Sequence, residues 1–389
     1  MAASIIAALP LIGLLAASPP QAQAVSYLGT CTQLNYTDHE VCLNDPQGTT
    51  TQQQVLVARL KDLADSAGEG DTVRIAMYRW STDDSVIDQF TDALKAAAAR
   101  GASIQILLDD GNTSKDIGNL ETDFPNDVTV CSPSTCLANS GDQHNKLFLF
   151  TIGGQNTTVI SSINLADGMY TKYANMVILH NELLSFYDHY FDRMVDDNWD
   201  GWTTSADRTK PGISGKIRAY VYPQLTSDDT VADILNAITE CDSGANTVWL
   251  LANQFTLGRL TSSSNRLLNA FDGVPGTCDL RVILEDISSD RPDPTVIQDL
   301  RNAGATVRFY AASPLHHSKY VLVHAKTTAL VGPEGTGWHN YVWTGSANMG
   351  TGIWSGDNSN VLVQDSTGLA AYEAQFSYLW SQSQTQPAT

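Results

Sequence analysis

The sequence predicts an α/β protein of two similar lobes. Each lobe is a mixed, mostly parallel sheet flanked by helices, and the two are pseudo-twofold related with the active site between them. Three observations carry this. His-x-Lys occurs as His144-Asn145-Lys146 and again as His317-Ser318-Lys319, each followed by an apolar run and then a small-polar turn, Ser161-Ser162-Ile163-Asn164 and Gly345-Ser346-Ala347-Asn348. Strand–helix–strand patterns precede both copies in the same order. A helix with similar aromatic spacing and a terminal Trp closes each half.

The first 24 residues are apolar from Ile5 to about Ala17, then Pro-rich, and end in Ala22-Gln23-Ala24. This is the pattern of a secretory signal peptide cleaved near Ala24. The apolar core is short, and Pro10, Pro19 and Pro20 interrupt it, which speaks against a membrane anchor. The N-terminal lobe then covers 25–205 and the C-terminal lobe 206–389. Their boundary lies in the polar stretch 203–216, where Pro and Gly break any periodic pattern.

In the first lobe, residues 25–50 are polar and contain a small disulfide loop. Apolar spacing from Val55 to Leu63 predicts a helix ending near Gly68. A strand at 72–78, a helix stopped by Gly101 and a buried strand at 103–110 follow. The second lobe repeats this with a helix at about 229–240, a strand at 247–253 and a helix near 265–271. A strand at 280–286, a helix at 295–304 and a strand at 306–313 come next. Each half then delivers its His-x-Lys strand, its Ser-x-Asn turn, one more strand (175–180; 360–365) and the closing helix.

Six cysteines in an exported chain suit disulfides. Proximity pairs them as Cys31–Cys42, Cys131–Cys136 and Cys241–Cys278. Zinc is disfavoured, because only Cys131 and Cys136 lie close enough for a ligand pair. The net charge is −20 at pH 7. Such a chain repels polyanions, so no long nucleic acid is expected as a partner. Two lobes in one chain supply both half-sites, so a monomer is expected.

A strand alternates its faces, so His144 and Lys146 point one way, as do His317 and Lys319. An imidazole and an ammonium side by side, twice, suit a phosphodiester. One neutral histidine attacks phosphorus; the other, protonated, donates to the leaving oxygen. The lysines sit where negative charge builds, and Ser and Asn of each turn add hydrogen bonds. With the cations supplied by side chains, no metal or other cofactor is required.

These motifs resemble the phospholipase D superfamily, whose signature is His-x-Lys, four further residues and Asp, followed by a Gly/Ser-x-Asn turn. HSKYVLV…WTGSANMG is the closer match; HNKLFLFT…SSINLADG has Ser161 where Gly is usual. The resemblance covers nearly all of the mature chain. It implies His144 as nucleophile, His317 as acid, and Lys146 and Lys319 as phosphate ligands, with Ser162, Asn164, Ser346 and Asn348 supporting. The motif Asp is Thr151 in one copy and His324 in the other. The family also places a carboxylate on the next strand to orient each histidine; the matching positions here are Asn175 and Asn360.

His324-Ala325-Lys326 is a competing His-x-Lys, but His324 is an odd number of residues from His317 and would face the other side of one strand. His39, His180, His189, His316 and His339 read as packing or surface residues. Asp109, Asp110, Glu285 and Asp286 end parallel strands, where carboxylates more often cap helices than bind metal. An insertion in the second lobe carries Trp338, Tyr341 and Trp343, with Trp354 beyond it. With Tyr78, Arg79 and Trp80 these form an expected aromatic rim for a membrane or micelle surface. The resemblance implies a secreted phospholipase D-like enzyme acting on phospholipid aggregates. The alternatives are a nuclease or small phosphodiesterase of the superfamily, and a non-catalytic binder of lipid or phosphate.

Overall fold

A computed structural model describes residues 27–35, 37–132, 135–137, 140–199, 201–242, 246–287 and 291–387. The expected signal peptide lies outside these residues. Eight strands form the first sheet: β1 (Thr30–Gln33), β2 (Glu40–Leu43), β3 (Thr72–Met77), β4 (Ser103–Asp109), β5 (Val128–Cys131), β6 (Lys146–Ile152), β7 (Gln155–Ser161) and β8 (Asn175–His180). Nine form the second: β9 (Thr209–Pro211), β10 (Ile217–Val221), β11 (Ile238–Glu240), β12 (Thr247–Ala252), β13 (Asp279–Glu285), β14 (Thr306–Tyr310), β15 (Tyr320–Thr327), β16 (Gly337–Gly345) and β17 (Ser359–Gln364). The orders are β1-β2-β8-β7-β6-β3-β4-β5 and β14-β13-β12-β15-β16-β17-β10-β9, with β11 on β15. Reversed, the second order matches the first strand for strand, so the duplication extends to every strand except β11.

Both sheets are mixed, but antiparallel pairing dominates, which corrects the expected mostly parallel sheet. Parallel pairing between the named strands is confined to β3–β4–β5 and β12–β13–β14, where helices cross over. Each His-x-Lys strand instead opens a hairpin, β6–β7 or β15–β16, and the next strand returns antiparallel. The first hairpin turns on Gly153-Gly154, both at positive φ, which suits the twist of a two-residue connection.

Two helices depart from their expected bounds. The one expected over 229–240 stops at Asn236, and the chain extends as β11. The one expected near 265–271 runs Leu257–Asp272, because the Thr256 hydroxyl caps it at Arg259 N. Its polar middle had hidden the apolar spacing. A further helix, Ser114–Asp123, buries only Leu120 and gives almost no periodic signal.

The closing helices Leu184–Val195 and Ser366–Gln382 lie between the sheets and share one core with both, including Tyr187, Tyr190, Tyr320, Tyr372 and Phe376. Separate cores lie under the outer helices of each lobe. Burial on both faces explains why β6 and β15 read as continuous apolar runs. The three disulfides pair as proximity suggested, Cys31–Cys42, Cys131–Cys136 and Cys241–Cys278. Among the described residues no helix is long and apolar enough to cross a membrane.

The lobes interlock twice. The segment after each Ser-x-Asn turn crosses to the other lobe and pairs in parallel with the residue before its His-x-Lys histidine, Asp357 with Gln143 and Tyr173 with His316. His144 N donates to Asp357 O at 2.8 Å, and His317 N to Tyr173 O at 2.6 Å. Topology thus brings the two motifs to one place.

Candidate active site

Both histidines sit just before their strands, at the cleft between the lobes, and both lysines are fully buried. Lys146 Nζ donates to His144 O at 2.8 Å, and Lys319 Nζ to His317 O at 3.0 Å. The four groups share one electrostatic environment. Burial, then Lys146, then Lys319 hold the His144 pKa well below its ordinary value. Burial, then Lys319, Lys146 and His144 do the same to His317. Both imidazoles are therefore neutral at rest. Lys146 is also lowered, by burial and by Lys319, with Asp109 and Asp142 opposing.

Each histidine is held through Nδ1 by an acceptor from the opposite lobe. His317 Nδ1 lies 2.5 Å from Ser162 O. A carbonyl only accepts, so Nδ1 carries the proton and Nε2 is left for the cleft. His144 Nδ1 lies 3.0 Å from Asn358 Oδ1. The Asn358 amide is oriented by donating from Nδ2 to Gly356 O at 3.2 Å, and its Oδ1 also accepts from Ser346 Oγ at 3.1 Å. His144 is thereby the same tautomer as His317.

This corrects the expected role of Asn175 and Asn360: neither is bonded to a histidine. Asn175 Nδ2 donates to Thr344 Oγ1 at 2.8 Å and Tyr372 OH at 2.9 Å, and Thr344 Oγ1 donates to Lys319 O at 2.8 Å. Asn175 therefore ties the lobes together behind Lys319. Asn360 Oδ1 accepts Ala347 N at 3.2 Å and shapes the second turn. Sequence alone missed Asn358 because the motifs align one residue off in space. Ser162 N pairs with Asn175 O, but Ser346 N pairs with Ser359 O. Asn358 thus corresponds to Ala174, and His317 has no side-chain counterpart of that amide.

The turns hold themselves as well. Ser162 Oγ accepts Asn175 N, and Ser346 Oγ accepts Ser359 N, each at 3.0 Å. The buried Arg259–Asp229 pair steadies the second turn, with Arg259 Nη1 donating to Asn348 O at 2.8 Å. Among the described residues the Oδ1 atoms of Asn164 and Asn348 are buried without a hydrogen-bond partner. Tyr78 lies against both members of the first pair, its ring 4.6 Å from that of His144 and 4.9 Å from Lys146 Nζ. Asp109, pushed up to about 6 by burial, accepts Gln143 N at 2.9 Å and so anchors the approach to His144.

The other candidates fall elsewhere. His324 faces Trp338 on β15, and Lys326 pairs with Glu240. Thr151 bonds Asn156 at the far end of β6. His39 is buried on Glu182, with 2.8 Å between Nε2 and Oε2. His339 bonds Thr327, His180 bonds Thr157, and His189 packs on Trp202. His316 is buried beside Tyr310. Glu285 bonds Asn253, and Asp286 pairs with Arg291. The aromatic rim is not formed. Trp80, Tyr341 and Trp343 are buried in the lobe cores, and Trp338 stands near the end of β16 remote from the cleft.

A duplicated α/β lobe that contributes one His-x-Lys pair from each half defines a two-lobed phosphodiester-transfer protein. The family model described as "Cardiolipin synthase, PLD-like domain" matches residues 60–195 and again 221–380. The chain belongs to the phospholipase D superfamily, a family of phosphodiesterases and phosphatidyltransferases. Its fold is similar to that of a phosphatidylserine synthase from Haemophilus influenzae. The identity is 13%, the match covers 93% of this chain and 90% of that one, and the TM-score is 0.60. It is also similar to a polyphosphate kinase from Porphyromonas gingivalis, with 14% identity, 90% of this chain covered and a TM-score of 0.54. This chain spans about half of that kinase, 52% of its length. A search of curated proteins finds no match.

Proposed function

We propose that the protein is a secreted phosphodiesterase that cleaves phospholipids at the head-group side of the phosphate through a phosphohistidine. It works as a monomer on phospholipid aggregates, and a primary alcohol can replace water to give head-group exchange. The observation that carries the reading is the pair of neutral imidazoles, each donating Nδ1–H across the lobe interface and each beside a buried lysine. The fold neighbour named as a phosphatidylserine synthase and the family model named for cardiolipin synthase support a lipid diester. Three disulfides support an exported chain.

His144 attacks phosphorus through Nε2. The P–O bond to the head-group alcohol breaks, and His317 delivers a proton to that oxygen. The substrate's own negative charge lets His317 hold this second proton against burial and the lysines. Water then attacks phosphorus, yields its proton to His317, and the N–P bond breaks to release phosphatidic acid. Lys146 and Lys319 hold the equatorial oxygens in a site already organised for them.

The test is hydrolysis of phosphatidylcholine vesicles, plasmid DNA and bis-p-nitrophenyl phosphate, each with chelator. His144→Ala and His317→Ala should each lose roughly 10³-fold or more on vesicles, with His324→Ala within about twofold of wild type. On the p-nitrophenyl ester, whose leaving group needs no proton, His317→Ala should retain more activity than His144→Ala. Equal losses in His317→Ala and His324→Ala would overturn the site. Inactivity of the wild type on all three substrates would overturn the enzyme.

A further inference from the structure

Two cations at the cleft are left unused by this chemistry: Arg79, which pairs with Asp109, and Lys172. Lys172 precedes Tyr173, whose carbonyl accepts His317 N at 2.6 Å and Ser318 N at 2.9 Å. Buried Asn44 pins the same loop. It donates from Nδ2 to Tyr170 O at 2.9 Å and Lys172 O at 2.8 Å, and accepts Ala174 N at 2.7 Å. The backbone of Lys172 is thus fixed beside His317. Its side chain is partly exposed, and its charge acts on His317.

The ordinary account of such a residue is a solvated surface lysine. The rest of the chain argues otherwise. Lys61, Lys95, Lys115, Lys216 and Lys326 are each ion-paired, as a chain of net charge −20 leads one to expect. Among the described residues Lys172 has no ion-pair partner, and the other lysine outside the catalytic pairs of which this holds, Lys210, lies on the edge strand β9. The matching position of the second lobe is Gly356, one before the crossing residue Asp357. The acidic groups Asp109 and Asp142 act on Lys146, on the opposite flank. The two flanks of the cleft therefore differ: toward the His144 pair the carboxylates are met by Arg79, which pairs with Asp109, whereas toward His317 the Lys172 ammonium has no ion-pair partner among the described residues.

We propose that Lys172 is an anion subsite for the leaving alcohol, and that preferred substrates are phospholipids whose head group carries an anionic group such as a carboxylate. In-line displacement fixes the side. With His144 attacking, the departing oxygen lies opposite, on the flank of His317 and Lys172. The inference rests on the phospholipase reading and on its choice of His317 as the acid. The ammonium holds the carboxylate of such a head group, while the amine of the same head group is left in water.

The test compares phosphatidylserine with phosphatidylethanolamine, head groups that differ by one carboxylate. Each is presented to the full chain at low mole fraction in uncharged detergent micelles, so that surface charge does not enter. Wild type should favour phosphatidylserine by about five- to tenfold in kcat/KM, the effect of one partly desolvated charge pair. Lys172→Ala should bring the ratio to about one, Lys172→Arg should keep most of it, and Lys172→Glu should reverse it. Cleavage of both lipids with the same ratio in wild type and Lys172→Glu overturns this inference alone. Inactivity of wild type on both overturns the phospholipase reading and this one with it.

Discussion

The two crossing points make the same backbone connection with different side-chain chemistry. Tyr173 crosses from the first lobe and is buried against Tyr378, with ring centroids 5.7 Å apart. Asp357 crosses from the second, and its buried carboxylate accepts Cys136 N at 2.6 Å and Leu137 N at 3.3 Å, where the Cys131–Cys136 disulfide closes its ring. One half-site is therefore held by aromatic packing. The other depends on a buried carboxylate and a disulfide, and the next residue, Asn358, carries the His144 ring. A duplicated fold keeps its backbone geometry while its two halves come to differ in their sensitivity to conditions.

The largest expected effect breaks this comparison at Asp357. Asp357→Ala leaves two buried N–H groups unpaired and frees the segment that aims His144. Activity should fall roughly 10- to 100-fold, as small misplacements of reacting groups do. Tyr173→Phe, at the mirrored point, should stay within about twofold. Burial pushes the Asp357 carboxyl up to about 7, so the folded protein holds a proton that the unfolded chain releases near pH 4. Its stabilising effect is complete below pH 4 and is lost as the pH rises to about 7, by up to ~4 kcal/mol. Asp357→Asn keeps an acceptor for Cys136 and Leu137 but cannot ionise. Its Tm relative to wild type should rise between pH 5 and 8. A parallel pH dependence in both proteins would move the ionisation to Asp109.

A smaller effect sharpens the comparison at the acceptors. Asn358 holds His144, whereas Ala174 stands at the matching point and leaves His317 to a backbone carbonyl. Asn358→Asp puts a carboxylate beside His144 alone. The His144 pKa should move upward, so the acid limb of the kcat/KM profile shifts to higher pH. The variant should be about three- to tenfold less active at pH 5.5 and close to wild type at pH 8. An unmoved acid limb would assign that ionisation to His317.

The duplication was legible in the sequence because both His-x-Lys strands are buried on two faces and followed by small-residue turns. The disulfides followed from proximity alone. The extent of antiparallel pairing was not legible, since apolar runs carry no direction. The partners of the histidines were not legible either. They come from the opposite lobe, and a one-residue offset between Asn175 and Ser359 hides Asn358 from motif alignment. Asp357 and Lys172 lie in loops without periodic pattern. Their importance arises from the crossing, which no local pattern encodes.

The smallest expected effect concerns the hairpins, where the lobes differ most. The first turns on two glycines. The second extends through residues 328–336 and carries the aromatics once expected to form a rim. Gly345 at the cleft end of β16 lies seven residues from Trp338, or about 23 Å along a strand. Trp338, 48% exposed, therefore stands far from the chemistry. Trp338→Ala should leave hydrolysis of vesicles and of a soluble diester within about twofold of wild type. Trp343→Ala empties a core position, which costs about 3–5 kcal/mol of stability. Any loss of activity it causes should be the same on vesicles and on the soluble diester. A loss confined to vesicles in Trp338→Ala would mean that the end of β16 meets the lipid surface after all, with the cleft reaching substrate from a distance of about three-quarters of a bilayer core.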